Sequence, residues 1–352
     1  MNVLDLFSGC GGISLGFKLA GFNISGGIDI DPDSIKTFQR NFPKSKAVCE
    51  SLLEYSDERI LEDFGEKNIE VIVGGPPCQG FSSANRWNKE NEDPRNKLFF
   101  EYLRFVELLK PKAVVIENVR GILTRDKGFA KKRIEKLLKN LGYNVDCKVL
   151  NASDYGVPQN RLRAFFVAIR EDYKETFDFE QLSIKPKVTV KEAIGELYDL
   201  DKTPVTILIN KPDNKYTKYL RKENQKLYNH EIKYPAEMTQ TRISHVPQGG
   251  NWKDIPQELF PNNRNNRHSS AFKRLDENAC SVTIDTGNAH SNYFHPLYHR
   301  IPTVREAARI QSFKDNFIIE GSRTSQYRQI GNAVPPLLAK AVADELKKYI
   351  DK

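Results

Sequence analysis

One cysteine of the sequence stands where a catalytic nucleophile would be presented. Cys78 lies in the segment GGPPCQGFS at residues 74–82, directly after the apolar stretch 71–73. Two prolines stiffen the backbone before the thiol, and open α/β sheets bind ligands at the carboxyl ends of their strands. The pattern therefore predicts a thiol presented in a cleft. The alternative is an unreactive free cysteine, because reactivity requires a lowered pKa or an activating neighbour.

A glycine-rich segment near the N-terminus has the composition of a cofactor-binding loop. The sequence DLFSGCGG at residues 5–12 follows an apolar stretch, and its glycines allow a tight turn beneath a ligand at a helix N-terminus. Asp29 follows Gly9 by 20 residues, where a carboxylate can accept hydrogen bonds from ribose hydroxyls. Ser14 takes the place of the third glycine of the dinucleotide fingerprint. The segment indicates a nucleotide-like cofactor, with a purely structural turn as the alternative.

Further polar groups follow two later apolar stretches. Glu117 ends the predicted strand 113–117, and neighbouring strands would place its carboxyl beside Cys78 as a proton donor. Arg161 and Arg163, in QNRLR at 159–163, would point the same way in an extended chain and could clamp a phosphate or carboxylate. The alternatives are a strand-end acid satisfied within the fold and two solvated arginines.

The elements that must position these groups alternate between strand and helix patterns. This alternation predicts a doubly wound α/β fold with a largely parallel sheet. The predicted strands are residues 2–6, 23–29, 71–73, 113–117, 143–149 and 164–169, and the predicted helices are 12–20, 33–40, 98–109 and 129–141. From about 170 to 299 the chain is polar and weakly periodic, which predicts a second, irregular domain. A helical pattern returns at Val304, and residues 333–350 predict a final helix that docks on the first domain.

Composition limits the classes of protein that the chain can represent. Its 352 residues are 39% apolar, enough for about two domains with sizeable cores, and the longest strictly apolar stretch, 164–169, cannot span a bilayer. The five cysteines form no CxxC and pair with no histidine at ligand spacing, so we expect neither a metal site nor a disulfide framework. The N-terminus has no secretory pattern, and we expect a cytoplasmic protein.

The net charge of +8 is unevenly distributed along the chain. Residues 1–80 hold 7 Lys and Arg against 12 Asp and Glu, so the remaining residues carry +13. This asymmetry favours a polyanionic partner such as nucleic acid, with an ordinary basic enzyme as the alternative.

Taken in order, these motifs resemble those of the DNA (cytosine-5)-methyltransferase family, and the resemblance covers nearly the whole chain outside about 175–275. Residues 7–12 look like the family's S-adenosylmethionine loop, 76–79 like its nucleophile motif, 117–119 like its acid motif and 159–163 like its Q-x-R-x-R motif. TVREAARIQSF at 303–313 resembles the element that supports the specificity domain, and QIGNAVP at 329–335 the last motif, which completes the cofactor pocket. Glu50 departs from the family's usual aspartate near the adenine.

The resemblance implies a Rossmann-like S-adenosylmethionine-dependent domain at 1–178, a smaller and mostly β target-recognition domain with a hinge at 179–317, and a C-terminal segment, 318–352, that returns to the first domain. The implied catalytic residues are Cys78, Glu117, Arg161 and Arg163. The implied cofactor-binding residues are Phe7, Gly9, Cys10, Gly12, Asp29, Ile30, Glu50, Pro77, Leu98, Asn332 and Ala333. The implied DNA-binding residues are Ser82, Arg95, Gln248, Gly249, Arg264, Arg267 and Thr283.

The chemistry implied is methyl transfer from S-adenosyl-L-methionine to carbon 5 of cytosine in double-stranded DNA, with S-adenosyl-L-homocysteine as product. Cys78 would add to carbon 6, and Glu117 would have to be held protonated to donate to N3. The target base would be flipped out of the duplex, and the polar stretch 83–97 would close on it as a lid or be a plain surface loop. Arg264 and Arg267 carry donors that suit base edges or phosphates.

Two rival functions share part of this evidence. A tRNA cytosine methyltransferase would use the same chemistry, but the long second domain and the Gly-Phe-Ser after Cys78-Gln79 favour DNA. A catalytically inactive DNA-binding module would not require Cys78, Glu117 and both arginines. The chain resembles the stand-alone enzymes of prokaryotic restriction-modification systems, so we expect a monomer, with a cognate restriction endonuclease as a possible partner.

Overall fold

The alternating sequence pattern folds into two units. The computed structural model describes residues 1–77, 94–201, 206–260, 272–286 and 293–351. Unit 1 consists of Met1–Tyr155, Leu162–Lys185 and Ala333–Lys352, and unit 2 of Gly156–Arg161 and Pro186–Asn332. The chain therefore leaves unit 1 twice and returns to it at Ala333. That these units are a catalytic and a target-recognition domain stays a prediction.

A mainly parallel sheet is the centre of unit 1. Within the described residues its seven strands are β1 (Asn2–Leu6), β2 (Asn23–Asp29), β3 (Lys46–Cys49), β4 (Ile69–Gly74), β5 (Ala113–Val119), β6 (Tyr143–Asn151) and β7 (Leu162–Arg170). Their order is β3-β2-β1-β4-β5-β7-β6, and β7 runs antiparallel to both of its neighbours while the other pairs are parallel. The predicted doubly wound α/β fold is confirmed. The strand order reverses beside β1, so the carboxyl ends of β1 and β4 border the crevice where such sheets bind ligands.

Helices cover the sheet of unit 1. Numbered in chain order, they are α1 (Gly12–Leu19), α2 (Pro32–Asn41), α3 (Asp57–Phe64), α4 (Pro94–Leu109), α5 (Arg125–Asn140) and α11 (Pro336–Ile350). The helices α3, α4 and α5 share one apolar core with the strands, in which Phe99, Phe105 and Ile134 are fully buried. Burial of each such side chain contributes about 1.5–3 kcal/mol. This core therefore stabilises the packing of the three helices on the strands.

The return of the C-terminal segment depends on a close approach between α1 and α11. A Cβ atom added to Gly16 would lie 2.5 Å from Ala339 Cβ and 2.6 Å from Pro336 O. No side chain fits at those distances, so glycine at position 16 allows the two helices to touch. The predicted final helix is confirmed, and its N-terminal end lies beside α1.

Unit 2 is organised by short elements. Those described are α6 (Val190–Ile194), β8 (Ile207–Leu208), α7 (Lys215–Leu220), β9 (Gln225–Lys226), α8 (Glu237–Ser244), β10 (Lys273–Arg274), β11 (Tyr293–Phe294), α9 (Val304–Ile310) and α10 (Arg323–Asn332). The irregularity agrees with the sequence analysis. In the described part, however, helical residues outnumber strand residues, whereas a mostly β unit was expected.

Buried arginines connect the segments of unit 2 by hydrogen bonds, in the place of the backbone bonds between strands that connect a sheet. Arg305 is fully buried and donates to the backbone oxygens of Tyr228 at 2.9 Å and Phe317 at 2.7 Å. Arg300 binds Glu306 through both of its terminal nitrogens, at 2.8 and 2.9 Å. Each arginine supplies several donors in a fixed geometry, so one side chain can join segments that form no sheet.

Candidate active site

The loop between β1 and α1 is shaped by residues with positive φ. Phe7, Gly9 and Gly11 have φ of 61°, 51° and 94°. Gly9 has no atom within 4 Å of an added Cβ, so the backbone there faces open space. Phe7 is strained because a bulky residue rarely adopts this conformation, and such strain concentrates at functional sites. The loop therefore exposes its backbone at Gly9, and its binding of a cofactor stays a prediction.

The C-terminal segment closes one side of this loop. A Cβ on Gly12 would lie 2.4 Å from Val334 O and 3.2 Å from Ala333 Cβ, so glycine is required for the contact. The structure thus brings together Gly12 and Ala333, which the sequence analysis assigned to one pocket. Asn332 is the last residue of α10 and belongs to unit 2.

Asp29 ties the end of β2 to the glycine loop. Its Oδ2 accepts a hydrogen bond from Gly9 N at 2.8 Å, and its Oδ1 accepts one from Asp31 N at 2.9 Å. Burial raises the pKa of Asp29, and these backbone donors lower it. The carboxylate is therefore fixed at the edge of the loop, where the predicted ribose contact requires an acceptor.

Two further predicted cofactor residues lie near this carboxylate. Ile30 follows β2 and is 71% exposed, which is unusual for a large apolar side chain. Glu50 N donates to Asp29 O at 3.0 Å, and the Glu50 carboxylate forms an ion pair with Arg59 at 2.7 Å. An exposed apolar face beside two carboxylates suits a nucleoside. A ligand that donates a hydrogen bond to Glu50 would therefore compete with Arg59 for the carboxylate.

Sequence reasoning missed a buried carboxyl beneath the loop. Asp5, in β1, is fully buried and accepts a 2.6 Å hydrogen bond from Ser14 Oγ in α1, while its Oδ1 has no partner among the described residues. Burial raises the pKa of Asp5 to about 7. An acid within the apolar strand Asn2–Leu6 was the signal that could have found it.

Cys10 lies within the loop between β1 and α1. Its side chain is buried, and burial raises the pKa of the thiol to about 12. A thiol in that state is not a nucleophile.

Glu117 and Arg163 form an ion pair at the other side of the sheet's carboxyl edge. They lie on the neighbouring strands β5 and β7, and Arg163 Nε is 2.9 Å from Glu117 Oε1. Both side chains are mostly buried, so the pair is weakly screened by solvent. The guanidinium therefore fixes the orientation of the Glu117 carboxyl group at the end of β5.

The segment that leads into Cys78 is attached to the same strand end. Asn118 Nδ2 donates to Pro76 O at 2.9 Å, and Asn118 Oδ1 accepts from Val119 N at 3.0 Å. A Cβ on Gly75 would lie 3.2 Å from Glu117 Oε2, which is tighter than ordinary van der Waals contact. Glycine at 75 thus leaves room for the acid. Pro77 is half-buried, and Cys78 and Ser82 lie outside the described residues.

Comparison with known proteins identifies the family. The family model described as C-5 cytosine-specific DNA methylase matches residues 1–348. The chain belongs to this family. Among its relatives, the methylase is 36% identical to Type II methyltransferase M.DdeI of Desulfomicrobium norvegicum, over 100% of this chain and 89% of that protein. It is 37% identical to Type II methyltransferase M1.HphI of Haemophilus parahaemolyticus, over 99% of this chain and 87% of that protein.

Solved structures agree with this assignment. A crystal structure described as that of a DNA modification methyltransferase encoded within an E. coli prophage has a TM-score of 0.79 and 28% identity, and the match covers 100% of both chains. A structure of Spodoptera frugiperda DNMT2 has a TM-score of 0.63 at 16% identity, over 100% of this chain and 99% of that one, and is similar in fold. The methylase is an enzyme of the DNA (cytosine-5-)-methyltransferase class.

The structure separates the two arginines of the Q-x-R-x-R motif. Arg161 is 1% exposed and lies in unit 2, where it donates to Ile284 O at 2.9 Å and Gly331 O at 2.8 Å. Arg163 lies in unit 1 and binds Glu117. The two arginines therefore have different partners in the structure, and their joint clamp on one anion stays a prediction.

Gln159, the first residue of the same motif, is also a structural connector. It is fully buried, its Oε1 accepts from Ile284 N at 2.8 Å, and its amide group bonds to the side chain of Gln311. Thr283 is exposed, and its hydroxyl donates to Asn160 O at 2.8 Å. The motif thus fixes the segment that carries Thr283.

The predicted DNA-binding residues fall into three groups. Gln248 and Gly249 are exposed on a turn of unit 2, and Gln248 Oε1 accepts from Glu277 N at 2.9 Å. Arg95 lies in the first turn of α4, the helix that also contains the half-buried Leu98. Arg264 and Arg267 lie outside the described residues.

The described ranges hold neither a membrane-spanning helix nor a cluster of metal ligands. Helices long and apolar enough to cross a bilayer are absent from them. Clusters of three or more His, Cys, Asp or Glu side chains able to share a metal ion are likewise absent from those ranges.

Proposed function

We propose that this methylase transfers the methyl group of S-adenosyl-L-methionine to carbon 5 of a cytosine within a specific sequence of double-stranded DNA. One observation carries the proposal: the Glu117 carboxylate, oriented by Arg163, lies against Gly75 in the segment that leads into Cys78. An acid and a thiol in one cleft are the groups that activation of a pyrimidine ring requires.

The residues around the glycine loop fit S-adenosyl-L-methionine. The open backbone at Gly9, the fixed acceptor Asp29 and the exposed apolar Ile30 together suit a nucleoside. Phe7, Cys10, Gly12 and Ala333 would line the same pocket, with Glu50, Pro77 and Leu98 completing it. When bound, the cofactor supplies an electrophilic methyl group.

Cys78 would begin the reaction by adding to the substrate. Its thiolate forms a bond to carbon 6 of cytosine, and the electron pair of the ring double bond shifts toward N3, which takes a proton from Glu117. Glu117 must carry that proton when the thiolate adds, and Arg163 holds the acid in position for the transfer. Carbon 5 then carries the electron density needed to accept a methyl group.

The cycle ends by restoring the aromatic ring. Carbon 5 loses its proton to a base, the electron pair reforms the ring double bond, and the Cys78 thiolate leaves carbon 6. Glu117 takes back the proton from N3. The enzyme is thereby regenerated with both groups in their starting forms.

DNA binding would involve both units. A cytosine stacked in a duplex cannot reach a thiol in a cleft, so we propose that the base is flipped out at a cost of a few kcal/mol. We assign catalysis to residues 1–178 and 318–352 and target recognition to 179–317. The similarity to Type II methyltransferases supports a role beside a restriction endonuclease.

The test is covalent trapping on a fluorinated substrate. Wild-type protein with S-adenosyl-L-methionine should form a stable adduct with a duplex library that contains 5-fluorocytosine, because fluorine blocks the final elimination. Cys78→Ser should form none and still bind the cofactor, while Cys147→Ser, a half-buried thiol whose pKa burial raises to about 12, should behave as wild type. An adduct with tRNA in place of duplex DNA, or methyl transfer by Cys78→Ser, would overturn the proposal.

A further inference from the structure

One buried arginine supports the turn that carries Gln248 and Gly249. Arg274, in β10, is 7% exposed, and within the described ranges its guanidinium donates to backbone carbonyls and to no side chain. The acceptors lie at the end of α8 and after β11, and they are Ile243 at 3.3 Å, Val246 at 3.0 Å, Pro296 at 2.9 Å and Leu297 at 2.8 Å. A single side chain therefore joins the two segments that flank β10.

The backbone around Arg274 holds the turn directly. Gly249 N donates to Arg274 O and Arg274 N donates to Gly250 O, both at 3.1 Å. The half-buried Lys273 of the same strand adds a second support, because its Nζ donates to Gly249 O. The turn is also tightly shaped: Gly249 has φ +76°, and a Cβ on Gly250 would lie 2.5 Å from Asp254 Oδ2. These contacts restrict the conformation of the turn 248–250.

The partners of Arg274 differ from those of Arg300 and Arg309, two other buried arginines of unit 2. Arg300 pairs with Glu306 and Arg309 with Asp315, whereas Arg274 has no carboxylate partner among the described residues. Burial without such a partner lowers the pKa of Arg274. A guanidinium with five donors in a planar fork reaches carbonyls in two directions at once, and its charge suits the carbonyl end of a helix. The burial of Arg274 is therefore explained by its hydrogen bonds to the carbonyls of two segments and not by an ion pair.

We propose that Arg274 is a positioning residue for sequence recognition, which fixes the turn 248–250 and thereby determines the bases that the methylase accepts. The inference rests on the proposed function, in which Gln248 and Gly249 contact DNA. Arg274 lies too deep to touch a base, so its influence passes through the geometry of the turn. Lys273 acts in the same way from the outer side.

The test compares Arg274→Lys with a matched control. Lysine keeps the charge, but its single nitrogen cannot bond to four carbonyls in two directions. The control is Arg242→Lys: Arg242 is half-buried, donates to Leu259 O at 2.9 Å and stacks on Phe260, but makes no bond to the turn. Each variant methylates a randomised duplex library, read by bisulfite sequencing, and cofactor affinity is measured by calorimetry.

Arg274→Lys should lower discrimination at one or more base positions by about tenfold, within the range that a single mismatched pair costs. Cofactor affinity should stay unchanged, and Arg242→Lys should keep the wild-type preference. A purely structural role would slow methylation of every sequence by the same factor, and an unaltered preference in Arg274→Lys would overturn the inference. Failure of the wild type to methylate any duplex would instead reject the proposed function.

Lys273→Ala keeps the test decisive if Arg274→Lys does not fold. It removes only the outer support, so it should relax base preference while the salt dependence of binding stays constant. If Lys273 is instead a phosphate contact, binding weakens on all sequences alike and the salt slope falls by about one. That result, or an unchanged preference, would overturn the inference.

Discussion

Replacing the buried Asp5 by asparagine should change how the stability of the methylase depends on pH. Burial raises the pKa of Asp5 from 3.8 to about 7, with the charge of Asp29 adding to the effect and the Ser14 hydrogen bond opposing it. The shift of about 3 units corresponds to about 4 kcal/mol, at 1.36 kcal/mol per unit. Because the folded state binds the proton more tightly, this stability is fully present below about pH 4 and is lost as pH rises through 7.

The assay is urea denaturation of wild type and Asp5→Asn at a series of pH values. Asparagine keeps an acceptor for Ser14 but does not ionise, so the difference between the two proteins isolates the titration of Asp5. Between pH 5 and pH 8 the wild type should lose about 3 kcal/mol relative to Asp5→Asn, an order-of-magnitude figure from the same shift. As control, Asp344→Asn removes an exposed acid paired with Lys340 and should give a difference that varies by less than about 0.5 kcal/mol.

A flat difference between wild type and Asp5→Asn from pH 5 to pH 8 would refute this reasoning. It would mean that the carboxyl beneath the loop keeps its ordinary pKa, through water or a rearrangement that solvates it. A difference of the opposite sign would mean that the folded protein favours the charged form.

Three other substitutions test the construction of the site. Gly16→Ala should destabilise the protein by about 1–3 kcal/mol in thermal denaturation, because the methyl group overlaps α11, whereas Gly121→Ala, with open space around it, should change stability by less than about 0.5 kcal/mol. Asn118→Ala releases the segment before Cys78 and should lower kcat about 10–100-fold at unchanged cofactor Kd, with an unaltered kcat counting against the attachment. Asp29→Ala should weaken cofactor binding about tenfold in calorimetry, the loss expected for a charged hydrogen bond; equal affinities would remove Asp29 from the pocket.

The parts of unit 1 that were predicted correctly have strong local patterns. The strands Asn2–Leu6 and Asn23–Asp29 were predicted with the bounds that the structure gives them, because apolar residues fill them and turn residues end them. By contrast, β3 and α3 were missed. The first has four residues and begins with a lysine, and in α3 the apolar Ile60 and Phe64 stand among charged residues. Short elements at a sheet edge depend on tertiary packing, which a local pattern does not contain.

The sequence motifs predicted which residues lie close together more accurately than they predicted the role of each residue. Gly12 and Ala333 are far apart in sequence and meet in the structure, and Glu117 lies beside the segment that leads into Cys78. The roles of Arg161 and Arg163 were not separable from sequence, because spacing indicates a common direction only if the chain is extended through both residues. The strand begins at Leu162, which places them in different units.

The structure of unit 2 could not be predicted from sequence, because the residues that connect its segments are arginines, a type usually found on protein surfaces. Arginines are mostly exposed in proteins, so a sequence containing Arg274, Arg300, Arg305 and Arg309 predicts solvated side chains, yet each of these is buried in the structure. Each satisfies carbonyl or carboxylate oxygens that an irregular backbone cannot satisfy by a ladder, and an unpaired buried carbonyl would cost about 1–3 kcal/mol. In a unit connected by such side chains, the sequences of the loops can change without disrupting the pairing of strands. Under the proposed function unit 2 recognises the target sequence, and its buried arginines are then candidates for specificity determinants together with its surface residues.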